Sequence, residues 1–248
     1  MAGDQAELNL PRVDPVGVPF VTTEQMIEVD RAMVEDYGIE LLQMMENAGR
    51  TLATLAMRRF SSAVRGKVVV LAGVGGNGGG ALVCARRLSN WGVDVQVAVS
   101  AEDARFAAVP RHQLAIVREM GISVEHGPPS SSTVDFIVDG IIGYGLMGNP
   151  RGPAADMIGW ASGVSAPVLS LDVPSGVEST LGTVLDPAVS ATATMTLALP
   201  KEGLRAREAS THVGELYLAD ISVPASLYAN MGLEVGPIFR DSDIVRLG

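Results

Sequence analysis

The sequence predicts a three-layer, doubly wound α/β sandwich on a mostly parallel sheet. Short β-branched and aliphatic runs recur along the chain, helical stretches separate them, and the first run opens into a glycine-rich turn. Parallel strands covered on both faces read as near-continuous apolar runs, and strand–helix alternation is what a layered α/β domain requires.

At 248 residues the chain is long enough for one substantial core, burying roughly 70–75% of the surface of its unfolded form. Hydrophobic residues at 47% against charged ones at 19% exclude a disordered polymer, a collagen-like repeat and a coiled coil. The net charge of −10 opposes a polyphosphate backbone, so nucleic acid is not an expected partner. Cys84 is the single cysteine, which forbids an intrachain disulfide and a thiolate-rich zinc site. No apolar run reaches the ~20 residues needed to cross a bilayer, and no secretory signal opens the chain. The expected location is cytoplasmic, with no membrane partner.

Residues 1–20 are acidic, contain proline and lack helical or strand period, and read as a flexible arm; 21–248 read as one α/β domain. Thr22 three residues before Gln25 is a capping-box spacing, predicting a helix from about Thr23 to Asp36, with Gly38 as its left-handed stop. Leu41, Met45, Ala48, Leu52 and Leu55 then mark a second helix with one buried stripe, its methionines serving as packing. Strands are predicted at residues 67–73, 94–100, 134–143, 166–176 and 193–200. Helices are predicted over Gly80–Asn90, Pro110–Met120 and Pro153–Ala161, and a late edge strand near residue 220. Trp91 and Trp160 are expected to plug gaps between helix and sheet, and Cys84 to be a small packing residue. His112, His126 and His212 lack metal-ligand spacing. The apolar stripes of the first two helices suggest a homo-oligomer.

In an open α/β sheet, ligands collect beyond the carboxyl ends of the strands. Three segments there carry chemistry. Five glycines between Gly75 and Gly80 surround Asn77, and such a turn brings backbone N–H groups and a helix start close to a polar or anionic ligand. Asp139 ends an apolar strand before Gly143, Gly145 and Gly148, and Asp172 ends another before a proline turn carrying Ser175. Carboxylate, hydroxyl and carbonyl oxygens at strand ends suit a hard cation or acid/base work, although either aspartate is equally compatible with capping a turn.

Together these segments resemble the YjeF N-terminal domain family, the NAD(P)H-hydrate epimerases, from about Thr22 to Pro224. GVGGNGGG answers to the family's glycine loop, VDGIIGYG to its D-A-x-F-G segment, LDVPSG to its D-x-P-S-G, and Pro200-Lys201 to a P-K pair after a later strand. The resemblance implies a Rossmann-like sandwich that interconverts the R and S forms of hydrated NADH or NADPH, with a separate dehydratase acting in trans. It implies a potassium ion on Asn77, Asp139 and Ser175, and Asp172 as substrate contact and catalytic group. Substrate contacts would also come from Gly76, Asn77, Gly78, Gly79 and Gly80, and from Gly143, Tyr144, Gly145, Leu146, Met147, Gly148 and Asn149. Gly76 and Gly80 stand where the family has asparagine and aspartate. A non-catalytic nucleotide-binding or oligomerising module of the same fold, or an enzyme turned to another substrate, therefore stays open as a second reading.

Overall fold

A computed structural model of the chain describes residues 10–131 and 133–248. The strands are β1 (Arg12–Val13), β2 (Lys67–Ala72), β3 (Asp94–Val99), β4 (Ser123–His126), β5 (Phe136–Gly140), β6 (Val168–Leu171), β7 (Ala193–Leu197), β8 (Glu215–Ala219) and β9 (Ile244–Leu247). The helices are α1 (Thr23–Glu35), α2 (Leu41–Arg59), α3 (Gly76–Asn90), α4 (Ala108–Glu119), α5 (Gly152–Gly163), α6 (Ser210–Val213) and α7 (Ala225–Asn230). The strands form one sheet in the order β1-β9-β8-β7-β6-β5-β2-β3-β4, parallel throughout except where β9 runs against β8. The chain moves outward from β2 to β3 and β4, then returns to place β5 on the other side of β2. That reversal opens a crevice at the strand carboxyl ends.

The predicted sandwich is present. In β2, Val68, Val70 and Ala72 pack with the face covered by α2, α3 and α4, whereas Val69 and Leu71 pack with the α5 face. This is why the run shows no polar alternation. At the start of α1, Thr22 Oγ1 accepts from the Gln25 backbone N–H at 3.2 Å, and Gln25 Oε1 accepts from the Thr22 N–H at 2.9 Å. Two otherwise unpaired groups are satisfied reciprocally, as the spacing predicts.

The glycine-rich segment departs from expectation. The helix begins at Gly76, so its glycines form the first turns of α3 rather than a loop before it. A Cβ on Gly78 would lie 1.8 Å from the Gly73 carbonyl oxygen, one on Gly79 2.4 Å from Met45 Sδ, and one on Gly80 2.9 Å from Leu171 Cδ2. Gly49 of α2 meets α3 equally closely, with an added Cβ 2.5 Å from the Gly80 carbonyl oxygen. Close approach of α3 to α2 and the sheet thus outweighs the roughly 1 kcal/mol per residue by which glycine disfavours a helix interior.

Three further expectations are corrected. The strand near residue 220 is interior, because β9 covers the far side of β8 and β1 lies beyond β9. Residues 10–20 of the predicted arm are fastened down: Arg246 N–H donates to the Pro11 carbonyl at 2.9 Å, and Leu10 and Val18 are buried. Residues 1–9 of that arm lie outside the described residues. Trp91 closes the end of α3 and is exposed, whereas Trp160 of α5 is half-buried and packs against the core on that face of the sheet. Cys84 is fully buried among apolar neighbours, and burial pushes its thiol pKa up. Met45, Ala48, Leu52 and Leu55 of α2, with Met26, Val29 and Met33 of α1, are buried within the chain, whereas Leu41 of α2 and Ile27 and Val34 of α1 are exposed. No helix among the described residues is long and apolar enough to cross a membrane.

Gly78→Ala is expected to lower unfolding free energy by about 3 kcal/mol, because the backbone oxygen it meets cannot rotate away. Urea denaturation of parent and variant measures this, and a midpoint equal to or above the parent's contradicts the close-packing account.

Candidate active site

The crevice holds a cavity of about 500 Å³. Its strand-end wall comes from Val74–Asn77 after β2, Ser100 after β3, Ile141–Gly145 after β5, Asp172 after β6 and Lys201 after β7. Met26 and Asp30 of α1 and Met44 and Met45 of α2 line it from the helical side.

Asp172 sits in the left-handed region at φ 68°, which for a non-glycine residue is held only by its surroundings. Its backbone N–H donates to the Met195 carbonyl at 2.7 Å. Three donors converge on its Oδ1: the Lys201 ammonium, Thr196 Oγ1 at 3.3 Å and the Leu197 N–H at 3.3 Å. None of these donors goes to Oδ2, and Asp172 lines the cavity. Lys201 is 1% exposed, and its remaining hydrogens reach the Leu197 carbonyl at 2.9 Å and Thr196 Oγ1 at 3.4 Å. A buried ion pair of this kind is held by the hydrogen bonds around it as much as by Coulomb attraction.

Asp139 is fully buried and knots three segments. Its Oδ1 accepts from Ser175 Oγ at 2.6 Å and the Ile141 N–H at 3.2 Å, and its Oδ2 from Ser170 Oγ at 2.8 Å and the Ser175 N–H at 2.9 Å. Burial pushes its pKa up, and these four hydrogen bonds oppose the shift. Asn77 Nδ2 donates to the Leu171 carbonyl at 2.7 Å, and a Cβ on Gly143 would fall 3.0 Å from Asn77 Oδ1. Above them, the Tyr144 hydroxyl donates to Asp30 Oδ2, and Lys201 Nζ lies 5.9 Å from the Tyr144 ring centre.

Asn77, Asp139, Asp172 and Ser175 thus meet at one end of the sheet, but only Asn77 and Asp172 line the cavity, with Asp139 and Ser175 behind its wall. Gly76, Gly143, Tyr144 and Gly145 also line it, whereas Gly78, Gly79 and Gly80 are taken up by helix packing. Leu146, Met147, Gly148 and Asn149 lie outside the wall. Met147 is 94% exposed there, and Asn149 Oδ1 accepts from the Asp186 N–H at 3.4 Å. An asparagine at position 76 would meet open space, whereas an aspartate at 80 would press on Leu171. No cluster of three or more His, Cys, Asp or Glu arranged for a metal occurs among the described residues.

Two contributors carry no role in the sequence reading. Lys201 is legible only as half of the P-K pair. Asp30 stands four residues after Met26 and three before Met33, a lone acid on the buried stripe of α1, which is the signal that marks it.

A doubly wound α/β protein with a polar-floored crevice at its switch point is built to take a small organic ligand. Residues 41–203 match the family described as YjeF-related protein N-terminus, and the chain belongs to that family. It is 38% identical over 223 residues to the NAD(P)H-hydrate epimerase of Dehalogenimonas lykanthroporepellens, covering 90% of this chain and 87% of that one. It is 37% identical over 199 residues to the NAD(P)H-hydrate epimerase of Truepera radiovictrix, covering 80% of this chain and 87% of that one. The bifunctional NAD(P)H-hydrate repair enzyme Nnr of Salinibacter ruber is 32% identical over 240 residues, 90% of this chain but 43% of that protein. The crystal structure of yeast ynu0 superposes with a TM-score of 0.80 at 23% identity, covering 93% of this chain and all of that one, and shares the fold.

Lys201→Met is expected to destabilise the protein by about 3–5 kcal/mol, because it strands the Asp172 charge in the interior. Lys201→Met with Asp172→Leu should recover part of that loss. Equal stability of the single variant and the parent in guanidinium melts would show that the pair does not hold the site.

Proposed function

We propose that the chain is an NAD(P)H-hydrate epimerase, an isomerase that interconverts the R and S epimers of hydrated NADH and NADPH. The observation that carries this is Asp172, which lines the switch-point cavity with one carboxylate oxygen uncommitted while Lys201 and Thr196 hold the other. The 38% identity to a named epimerase over nine-tenths of the chain supports it.

The hydrated ring carries a hydroxyl on the carbon next to its nitrogen. As Asp172 Oδ2 takes the hydroxyl proton, the oxygen–carbon bond becomes a carbonyl, the carbon–nitrogen bond opens and the nitrogen takes a proton. Reclosure on the other face of the carbonyl, with both protons returned, gives the opposite epimer. Asp172 is the base at oxygen in one direction and the acid in the other. Apolar walls from Met26, Met44 and Met45 keep water away from the opened form. The start of α3 at Gly76 and Asn77 offers backbone donors to a phosphate, and Gly143–Gly145 line the cavity for the rest of the nucleotide.

The oxygens of Asn77, Asp139 and Ser175, without nitrogen or sulfur, fit a potassium ion by donor chemistry, and these residues would hold it. When bound it supplies positive charge beside the buried Asp139 carboxylate.

The test is the rate of epimer interconversion on freshly prepared hydrated NADH and NADPH. Asp172→Asn is expected to lower turnover by roughly 100- to 10,000-fold, the usual contribution of a positioned acid/base group. A parent that interconverts neither hydrate fails this reading and favours the binding-module alternative. Potassium is expected to raise the melting temperature above its value in sodium, and Asn77→Ala, which leaves the Asp139 hydrogen bonds in place, to remove the difference. Equal melting of the parent in the two salts rejects the cation assignment.

A further inference from the structure

We propose that Asp30 and Tyr144 form a second proton-handling group in the site, with the Tyr144 hydroxyl meeting the substrate and the Asp30 carboxyl supplying and recovering its proton. The proposal rests on the epimerase reading and starts from a shortage of groups. Opening the ring moves protons at two heteroatoms at once, one leaving the oxygen and one arriving at the nitrogen. Asp172 has one uncommitted oxygen, since Lys201, Thr196 and Leu197 all donate to Oδ1. Lys201 has no hydrogen to spare, its three being directed to Asp172, Thr196 and Leu197. The only other titratable side chains lining the cavity among the described residues are Asp30 and Tyr144.

The pair is also held in place. The Tyr144 hydroxyl donates to Asp30 Oδ2, and the Tyr144 carbonyl accepts from Ser179 Oγ at 2.9 Å. Ser179 Oγ in turn lies 2.6 Å from Thr23 Oγ1, at the start of the helix that carries Asp30. One helix thereby fixes both the ring and its proton partner. The charged and titratable groups facing Asp30 are Tyr144, Lys201, Asp172 and Tyr228. Burial raises the Asp30 pKa; the Tyr144 hydrogen bond and the Lys201 charge oppose this, and Asp172 adds to it. Its acid form therefore persists to higher pH than that of a free aspartate. Burial raises the Tyr144 pKa as well, and an ionised Asp30 adds to it, so the phenol keeps its hydrogen.

In ring opening the hydroxyl proton passes to Asp172 Oδ2, and the carbon–nitrogen electron pair goes to nitrogen. The nitrogen takes the Tyr144 proton, and Tyr144 takes one from Asp30. The opened state holds a protonated Asp172 and an ionised Asp30, and reclosure on the other face returns both protons along the same routes. No further reactant enters.

The test uses steady-state turnover of hydrated NADH against pH, with thermal melting as a check on folding. Because Asp30 donates as an acid, parent turnover should fall as pH rises through its pKa. Asp30→Asn, which keeps an oxygen to accept from Tyr144, is expected to lower kcat ~100-fold with KM within ~2-fold and to abolish that alkaline fall. Tyr144→Phe should lower kcat by a similar factor, whereas Asp30→Glu should stay within ~10-fold of the parent. Parental kcat in both Asp30→Asn and Tyr144→Phe, or a lowered kcat with the alkaline fall retained in Asp30→Asn, overturns the proposal while leaving the epimerase reading intact. A parent inactive on both hydrates overturns the reading and this proposal with it.

Discussion

Lys201 is the point on which the site depends, because it fixes the geometry in two directions at once. Its side chain crosses from the turn after β7 to neutralise Asp172 at the end of β6. Its backbone lies beside Val21, whose N–H donates to the Pro200 carbonyl at 2.9 Å while the Glu202 N–H donates to the Val21 carbonyl at 2.9 Å. Val21 leads directly into α1. The residue that sets the charge state of the cavity floor therefore also sets the height of the helix that carries Asp30. Removing the ammonium would leave a carboxylate in the interior and loosen the anchor of the helix above it.

Asp139 organises the same end of the sheet by another means. With four hydrogen bonds from Ser170, Ser175 and Ile141 it joins the end of β5 to β6 and to the turn after it. The carboxylate behaves as a small template, and the Asp172 turn takes its shape around it. Left-handed backbone at a non-glycine residue is costly by about 1–3 kcal/mol and persists only where the surroundings over-determine it. The Met195 carbonyl on one side and the Ser175 bonds on the other supply that constraint.

Much of this was legible in the residues. The β-branched runs gave the central strands because both faces of β2, β5 and β6 are covered, and the capping box gave the start of α1. Asp139, Asp172, Ser175 and Asn77 were legible as strand-end residues because parallel strands deliver their ends to one side. The start of α3 was not, since glycine argues against helix locally and only the closeness of Met45, Gly73 and Leu171 reverses that preference. The interior position of β8 was hidden because β9 is four residues long and β1 two, too short to carry a period. Asp30 was hidden because a single acid on an apolar stripe gains meaning only when a phenol from residue 144 arrives beside it.

The pairing of β1 with β9 has a consequence for the order in which the molecule is completed. Met26, Val29 and Met33 of α1 pack with Leu218, Val245 and Leu247 of β8 and β9. On the ribosome α1 emerges well before the strands that receive it. The helix must wait, its methionine face uncovered, until β8 and β9 have been made. With so large a sequence separation, this docking is entropically among the most demanding contacts in the fold. The crevice is consequently roofed only after β9 has been made, and a nascent chain lacking β8 and β9 carries the cavity floor without its cover.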